Sequence, residues 1–292
     1  MSFSALKKQS NLNSLLDEFN KQSSPETKSF DDDRFWKPEL DKSGNGFAVI
    51  RFMPAPDGEE IPWVRMFSHS FQGPGGWYIE NSLTTINKPD PVGDTNRRLW
   101  NSGSEADKEV ARKQKRKLSY YSNIYVVSDP KHPENEGKVF LYKYGKKIFD
   151  KLMEAMQPQF EDETPVNPFD FWEGANFKMK IRKVEGYSNY DKSEFEAPSA
   201  LLDDDDRLEE IWNSQTSLKE LVSPDKFKTF DELKTKLDRV LGLGATSTPT
   251  PNTEEVPFDG GQPYTPPPKP AAEETTSDDD DLGYFQKLAE EA

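Results

Sequence analysis

Residues 112–125 read RKQKRKLSYYSNIY and place five cationic side chains directly before three tyrosines. Lys and Arg neutralise the phosphates of a nucleic acid, and unpaired bases stack on aromatic rings with about 1–3 kcal/mol per base. Because a duplex hides the faces of its bases, this combination favours a single-stranded ligand. The structural alternative is a basic loop that leads into an ordinary core strand, since Tyr is common in strands.

The net charge of −15 argues at first sight against a nucleic-acid ligand. The distribution of charge matters more than its sum. Residues 251–292 hold eleven acidic side chains and two lysines, a net −9, which leaves −6 for residues 1–250. A basic groove on an acidic body is therefore compatible with the composition. The candidate phosphate-binding residues are Arg112, Lys113, Lys115, Arg116 and Lys117.

At 292 residues the chain is long enough for one large domain or two modest ones. Its hydrophobic content of 33% is low and its charged content of 31% is high, which predicts a folded core with disordered appendages. The sequence has no apolar run of about 18 residues, the length that predicts a membrane helix, and no apolar secretory signal. It has no Cys, hence no disulfides and no thiolate metal sites, which fits an intracellular protein.

Residues 1–21 are predicted to form a separate short helical unit, joined to the core by a polar linker over residues 22–34. Its apolar residues fall on one helical face, behind a basic pair. A helix this short is marginal alone and needs a partner surface. The residues of this unit are Lys7, Lys8, Leu12, Leu15, Leu16 and Phe19.

The core is predicted over residues 35–243 as mainly β with accessory helices. Strands are predicted from apolar or alternating runs at 47–52, 119–127, 138–144 and 175–184, and a hairpin is predicted between 63–71 and 77–79. Helices are predicted at 146–156, 206–215 and 229–241, the last from a capping box at its start and Gly242 at its end. Residues 81–111, rich in Asn, Pro and Gly, are expected to be irregular.

The strand at 175–184 alternates an apolar face with a cationic one that carries Lys178, Lys180 and Arg182. The cations either face phosphates or are the solvated side of an ordinary edge strand. Tyr187 and Tyr190 follow in a polar loop. Both interpretations of this strand stay open.

Residues 244–292 are predicted to be disordered, because their composition shifts to Thr, Pro, Glu and Asp. Near the end, acidic charge stands beside an apolar cluster, which is typical of a docking peptide that folds on a partner. A purely solubilising tail is the alternative. The docking candidates are Asp278, Asp279, Asp280, Asp281, Leu282, Tyr284, Phe285 and Leu288.

No catalytic constellation is visible in the sequence. Phosphate-binding loops and Rossmann fingerprints are missing, and His69 and His132 are far apart in sequence. The acidic run at 203–206 is interpreted as solvated charge rather than a metal site. The sequence therefore predicts a protein that is not an enzyme.

The core resembles a known family, the replication single-stranded DNA-binding (helix-destabilising) proteins of T-even type phages. The resemblance lies in long, ordered segments. They are LDKSGNGFAVIRFMP (40–54), HSF…GGWYIE (69–80), KRKLSYYSNIYVVSDP (115–130), PENEGKVFLYKYGKKIFDK (133–151), FWEGANFKMKIRKVEGYSNYD (171–191) and DKFKTFDEL (225–233).

This resemblance implies an OB-fold core with a cationic, aromatic-lined groove that binds single-stranded DNA cooperatively and without sequence preference. It implies that residues 1–21 contact the neighbouring subunit along DNA, and that the acidic tail recruits the phage polymerase, primase, helicase loader and recombination proteins in the cytoplasm of the infected bacterial host. The aromatic positions that match the family's DNA surface are Tyr120, Tyr121, Tyr142, Tyr187, Tyr190 and Trp100.

The chain departs from the family at a structural zinc, which the family commonly holds with one His and three Cys. His69 remains, but Ser82, Asp90 and Gly93 stand at the positions that match the cysteines. Structural zinc needs four good donors, usually thiolate or imidazole. The sequence therefore predicts that zinc is lost and that the chain binds no cofactor.

Two other functions compete with single-stranded DNA binding. An RNA-binding translational regulator would use the same groove, because stacking and phosphate binding do not distinguish DNA from RNA without a 2′-OH contact. An acidic scaffold that binds mainly protein is the third class, and the basic-aromatic stretch argues against it.

Overall fold

The computed structural model describes residues 32–160 and 162–243. The chain divides into two compact units after Phe35. The described part of the first unit is residues 32–35, in which the Arg34 guanidinium pairs with the Asp32 carboxylate at 2.6 Å. The predicted self-association segment 1–21 and the predicted tail 244–292 lie outside the described residues.

The second unit, described over residues 36–160 and 162–243, is mainly β with accessory helices, as predicted. The strands of the described residues are β1 (Phe35–Trp36), which crosses the division between the units, β2 (Gly46–Phe52), β3 (Val64–Gly73), β4 (Gly76–Asn81), β5 (Lys117–Ser128), β6 (Val139–Tyr144), β7 (Phe177–Val184), β8 (Tyr187–Asn189) and β9 (Glu194–Phe195). The α-helices are α1 (Pro91–Trp100), α2 (Glu105–Gln114), α3 (Lys146–Met156), α4 (Asp205–Asn213) and α5 (Phe230–Leu241). Short 3₁₀ turns cover Leu83–Ile86, Pro133–Asn135, Lys219–Val222 and Pro224–Lys226.

The long strand β5 organises the sheet. Its first half pairs antiparallel with β3 and its second half with β2, while β6 pairs along the opposite edge. Beyond β2 the sheet continues to β7, which pairs with β8 and β9, and β4 pairs with β3 as a hairpin. One edge of β5 therefore passes from β3 to β2, and the basic start of β5 lies beside β3.

Four apolar clusters hold the described elements together, and two of them contain most of the buried residues. The larger cluster lies between the sheet and α3, whose Ile148 and Leu152 are fully buried on one helical face at the predicted spacing. The second joins the β3–β4 hairpin to α5, where Tyr78 packs with Leu233 and Leu237. These two clusters thus join strands from several parts of the described chain to one face each of α3 and α5.

The hairpin turn between β3 and β4 is docked against the end of α5. The Gly75 amide donates to the Val240 carbonyl at 2.8 Å. A Cβ atom at Gly75 would lie only 2.1 Å from the Arg239 carbonyl oxygen, so the close approach requires glycine. Backbone contacts therefore fix the last described helix to the sheet.

Several predicted elements are confirmed. The β3–β4 hairpin, α3 and the apolar strand β2 lie where the sequence places them. Helix α5 has the predicted capping box, in which Thr229 and Glu232 bond reciprocally, and it ends at Gly242 in the left-handed conformation.

The prediction that residues 81–111 are irregular is wrong. This segment holds a 3₁₀ turn, α1 and most of α2. The Asp90 side chain caps α1 and Pro91 occupies its first turn, where a missing N–H costs nothing. Ser104 caps α2. Several residues that suggested a loop thus stand at helix ends, with Pro91 in the first turn of α1, Asn87 at the end of the 3₁₀ turn and Asn101 at the end of α1.

Candidate nucleic-acid interface

The basic stretch lies at the junction between α2 and β5. Arg112 and Lys113 are exposed in the last turn of α2, where cations complement the helix dipole. Arg112 also pairs with Glu109 one turn earlier. Lys115, Arg116 and Lys117 follow, half-buried, and lead directly into β5. The stretch is therefore anchored by a helix on one side and a strand on the other.

The structure brings Trp100 to this junction. The ring of Trp100, at the end of α1, lies 5.8 Å from the Lys108 ammonium and 5.3 Å from the Arg112 guanidinium. The Arg116 guanidinium lies 4.1 Å from the centre of the ring of Phe67, a residue of β3. Such contacts hold a cation over an aromatic face while its charge stays near the surface. Trp100, Lys108 and Arg112 thus form a basic-aromatic cluster, and Arg116 makes a separate cation–ring contact with Phe67.

Lys108 and Phe67 are site neighbours that the sequence interpretation missed. Lys108 lies four residues before Arg112 on α2, a spacing that puts both side chains on one helical face. That signal was hidden because the segment was interpreted as irregular. Phe67 is found only through the pairing of β3 with β5, which places it opposite Leu118.

The structure places Tyr120 and Tyr142 in the larger core cluster, with 6% and 3% of their surfaces exposed. The Tyr120 ring stacks on the Phe149 ring of α3 with centroids 3.9 Å apart, so protein occupies that face. The Tyr142 ring packs edge-on against Trp36, with centroids 5.4 Å apart. This packing favours a core role for both rings, and their contacts with DNA stay predictions.

The remaining predicted tyrosines lie in different surroundings. Tyr121 and Tyr190 are buried, whereas Tyr187 at the start of β8 is 45% exposed. Tyr187 therefore offers much more ring surface to a base than the other two. Because β2 and β7 lie between β5 and β8 in the sheet, Tyr187 is separated from the α2–β5 junction by two strands.

The cationic row on β7 is matched by carboxylates of the following segment. The Lys178 ammonium lies 2.8 Å from Glu196 and the Lys180 ammonium 2.7 Å from Glu194, and Arg182 pairs with Asp191. Hydrogen bonding to Glu196 raises the pKa of Lys178. The geometry therefore favours the structural interpretation of this row over the phosphate-facing one.

Asp90 is the centre of a buried polar network behind the basic stretch. One carboxylate oxygen accepts from the Ser82 hydroxyl at 2.9 Å and from the Leu83 amide at 3.0 Å. The other accepts from the Val92 and Gly93 amides at 3.0 and 3.3 Å. His69 completes the network, with Nε2 at 3.4 Å from Asp90 and Nδ1 at 2.9 Å from the Gln114 carbonyl.

Burial and hydrogen bonding shift the pKa of Asp90 in opposite directions, and the hydrogen bonds together with the charge of His69 have the larger combined effect. Desolvation raises the pKa of this carboxyl, whereas the hydrogen bond and charge of His69, together with Ser82 and Leu83, lower the pKa to about 2. The carboxylate therefore stays ionised inside the protein and binds the 3₁₀ turn, α1 and β3 together.

The residues of this network do not fit a zinc ion. Gly93 has no side chain, and Ser82 has only a hydroxyl, which it donates to Asp90. The Asp90 oxygens already accept from one hydroxyl and three amides and face the His69 ring, which fills the roughly four lone-pair positions of a carboxylate. Zinc would have to replace these bonds while gaining only one imidazole and one carboxylate, too few donors for a structural site.

Other candidate chemistry is structural in this chain. In the acidic run, Asp204 caps α4, and Asp205 accepts a hydrogen bond from the Trp172 indole at 3.0 Å.

Within residues 32–160 and 162–243, no His, Cys, Asp and Glu side chains gather in a group of three suited to a metal ion. The helices of the same residues include none with the length and apolar character needed to cross a membrane.

Comparison with known proteins agrees with the resemblance found in the sequence. A family model described as gp32 DNA binding protein like matches residues 44–241. The chain is 42% identical over 238 residues to a single-stranded DNA-binding protein of Enterobacteria phage T2, and 41% identical over 238 residues to one of Enterobacteria phage T4. Each alignment covers 79% of this chain and 79% of the relative.

Proposed function

Because this chain belongs to the gp32-like family of T4-type phage single-stranded DNA-binding proteins, we propose that it binds single-stranded DNA without sequence preference at the α2–β5 junction. The observation that carries the proposal is the basic-aromatic cluster, in which Trp100 meets Lys108 and Arg112 beside the basic stretch. Cations there neutralise phosphates, and aromatic faces stack bases of any sequence.

The proposed scaffold for this surface is an OB fold. Strand β5 supports the proposal, because it pairs along one edge with β3 in its first half and with β2 in its second half. Such sharing of one strand lets a small antiparallel sheet curve on itself. The protein has no enzymatic activity and no cofactor in this proposal. It coats and protects DNA during replication, recombination and repair, in the cytoplasm of the infected bacterial host.

The test is a fluorescence titration with poly(dT), duplex DNA and RNA under identical salt conditions. We expect poly(dT) to quench Trp and Tyr emission and to bind much more tightly than duplex, because only unpaired bases expose their faces for stacking. Equal affinity for duplex DNA would contradict the proposal. Tighter binding to RNA than to poly(dT) would instead favour the translational regulator.

Cooperative coating is proposed to depend on residues 1–21. Deleting them should abolish cooperative binding to long poly(dT) while much of the affinity for an oligonucleotide that holds one protein remains. The reason is that this basic, amphipathic unit is too short to be stable alone and needs a partner surface. Binding isotherms on both lattices measure the effect. Unchanged cooperativity in the truncated protein would assign self-association to another surface.

The acidic tail is proposed to recruit polymerase, primase, helicase-loading and recombination proteins and to compete with DNA for the basic stretch. Its net charge of −9 over residues 251–292 makes it a tethered competitor for the phosphate sites at high effective concentration. Deleting 251–292 should therefore raise DNA affinity, most strongly at low salt, where screening is weakest.

The matched control is deletion of 282–292 alone, which leaves nine of the eleven acidic side chains in place. This shorter deletion should remove partner docking through the apolar cluster that follows Asp281, and keep most of the competition. If the full deletion leaves low-salt DNA affinity unchanged, the tail only recruits partners.

A further inference from the structure

A buried histidine is bonded to the backbone just before the central cations of the basic stretch. His69 on β3 is 2% exposed, and its Nδ1 lies 2.9 Å from the carbonyl oxygen of Gln114, the last residue of α2. Because a carbonyl only accepts, Nδ1 is the donor. This bond ties the end of α2 to β3, and Lys115 is the next residue in the chain.

A second backbone anchor follows only three residues later. Lys117 pairs with Ser68, the neighbour of His69 on β3, at the start of the β3–β5 ladder. Lys115 and Arg116 therefore bridge two points that are fixed to adjacent residues of one strand. So short a bridge leaves its backbone few alternative paths, and the Arg116 guanidinium is additionally placed over Phe67.

The orientation of His69 is itself fixed by Asp90. The carboxylate faces Nε2 at 3.4 Å on the side of the ring opposite Gln114, and the Tyr78 ring stands edge-on with centroids 6.4 Å apart. Asp90 cannot shift freely, since four donors from residues 82, 83, 92 and 93 hold it. The imidazole is thus clamped between a fixed carboxylate and a backbone carbonyl.

We infer that His69, clamped by Asp90, is a positioning residue for single-stranded DNA binding: it fixes the direction in which Lys115 and Arg116 leave α2. The inference rests on the proposed function and deepens it. The Asp90 carboxylate accepts hydrogen bonds from the 3₁₀ turn and α1 and faces His69 of β3, so it holds these three elements together. A structural metal ion would hold protein segments together in the same way. DNA then meets cations whose backbone is already ordered, so binding costs less conformational entropy.

The test compares His69→Phe, which keeps a ring but has no donor, with His69→Asn, whose amide can still donate from near the Nδ1 position. Affinity for a short oligo(dT) should fall roughly tenfold in His69→Phe, the loss expected when about two long side chains must be ordered on binding. His69→Asn should recover most of that loss. Leu208→Ala is the stability control, because it empties a buried position beside Met53, Phe171 and Ile211, in a cluster that contains no residue of the network.

Hydrogen exchange at the amides of Lys115 and Arg116, measured without DNA, separates this inference from the proposed function. Exchange should accelerate in His69→Phe and stay slow in Leu208→Ala. If wild type fails to prefer poly(dT) although exchange responds as expected, the proposed function fails and the positioning of the stretch stands. Two results would overturn the inference. One is a folded His69→Phe variant whose exchange and DNA affinity equal those of wild type, and the other is an equal loss of affinity in Leu208→Ala. If His69→Phe does not fold, Asp90→Asn replaces it in the test. We then expect faster exchange at the Lys115 and Arg116 amides, and unchanged exchange there would overturn the inference.

Discussion

Raising the salt concentration tenfold should weaken binding to single-stranded DNA by about three orders of magnitude. If the five cations of the basic stretch each neutralise one phosphate, the slope of log affinity against log salt is roughly −3 to −4 for a single strand. The measurement is a series of oligo(dT) titrations between low and high salt. A slope near zero would show that the basic stretch does not bind phosphates.

The structure supplies matched variants for this measurement. Replacing Lys115 or Lys117 with Ala should make the slope shallower by about 0.7 for each phosphate that is no longer neutralised. Lys178→Ala is the control, because Lys178 lies on β7, which β2 separates from β5, and is paired with Glu196 at 2.8 Å. We expect its slope to equal that of wild type. An equal change in Lys178→Ala would instead place phosphates along β7.

Replacing Asp90 with Ala should lower the free energy of unfolding by about 3–5 kcal/mol, because it removes the shared acceptor of buried donors that each cost about 1–3 kcal/mol when left unsatisfied. The Asp90 side chain is 1% exposed, and its loss leaves the donors of Ser82, Leu83, Val92 and Gly93 without their acceptor. Chemical denaturation at neutral pH measures the loss. An unfolding free energy within about 1 kcal/mol of wild type, the range of an ordinary surface substitution, would contradict the network's role.

Lowering the pH tests the contribution of the Asp90 charge to stability independently. Asp90 has a pKa lowered from 3.8 to about 2, so its contribution is complete above pH 3.8 and is lost as the pH falls through about 2. A shift of this size corresponds to about 2 kcal/mol. The stability difference between wild type and Asp90→Ala should therefore shrink between about pH 4 and 2. A difference that stays constant over this range would show that Asp90 acts through packing alone.

Metal analysis completes the test of the network. We propose that hydrogen bonds replace zinc in this chain, so a chelator should leave the melting temperature unchanged. Elemental analysis of the purified protein should find no stoichiometric zinc. One tightly bound zinc per chain would overturn this account of His69 and Asp90.

Elements with local physical signals were predictable from the sequence. β2 is a short apolar run with a turn before it, and α3 shows helical spacing of Ile148 and Leu152. The ends of α5 are set by side chains within a few residues, Thr229 with Glu232 at the start and Gly242 at the end. Such signals need no tertiary contact to be visible.

The segment 81–111 could not be predicted because its helices depend on distant partners. Asp90 caps α1 with one oxygen while the other binds Ser82 and Leu83, and His69 reaches the network from β3. No periodic pattern reports such contacts. The pair Asp90-Pro91 is a helix start signal that the interpretation of a loop overlooked.

Charge in the candidate site was predictable, but burial was not. The tyrosines near the start of β5 do not reveal what covers each ring, and Phe149 of α3 is the residue that covers Tyr120. Likewise, the carboxylates that match the cations of β7 come from the returning strand β9 and its surroundings. Strand register decides these pairings, and register is not visible in one strand alone.

The docking of the Gly75 turn on the end of α5 determines how a mechanical load on the C-terminal tail would travel. Residue 244 follows directly on Leu243, so a partner that drags the tail pulls on the end of α5. The bond from the Gly75 amide to the Val240 carbonyl passes that load to the β3–β4 hairpin. β3 pairs antiparallel with the first half of β5, so the force continues as shear across a ladder of hydrogen bonds. A partner that pulls on the tail would therefore load the protein through the strand that begins with the basic stretch.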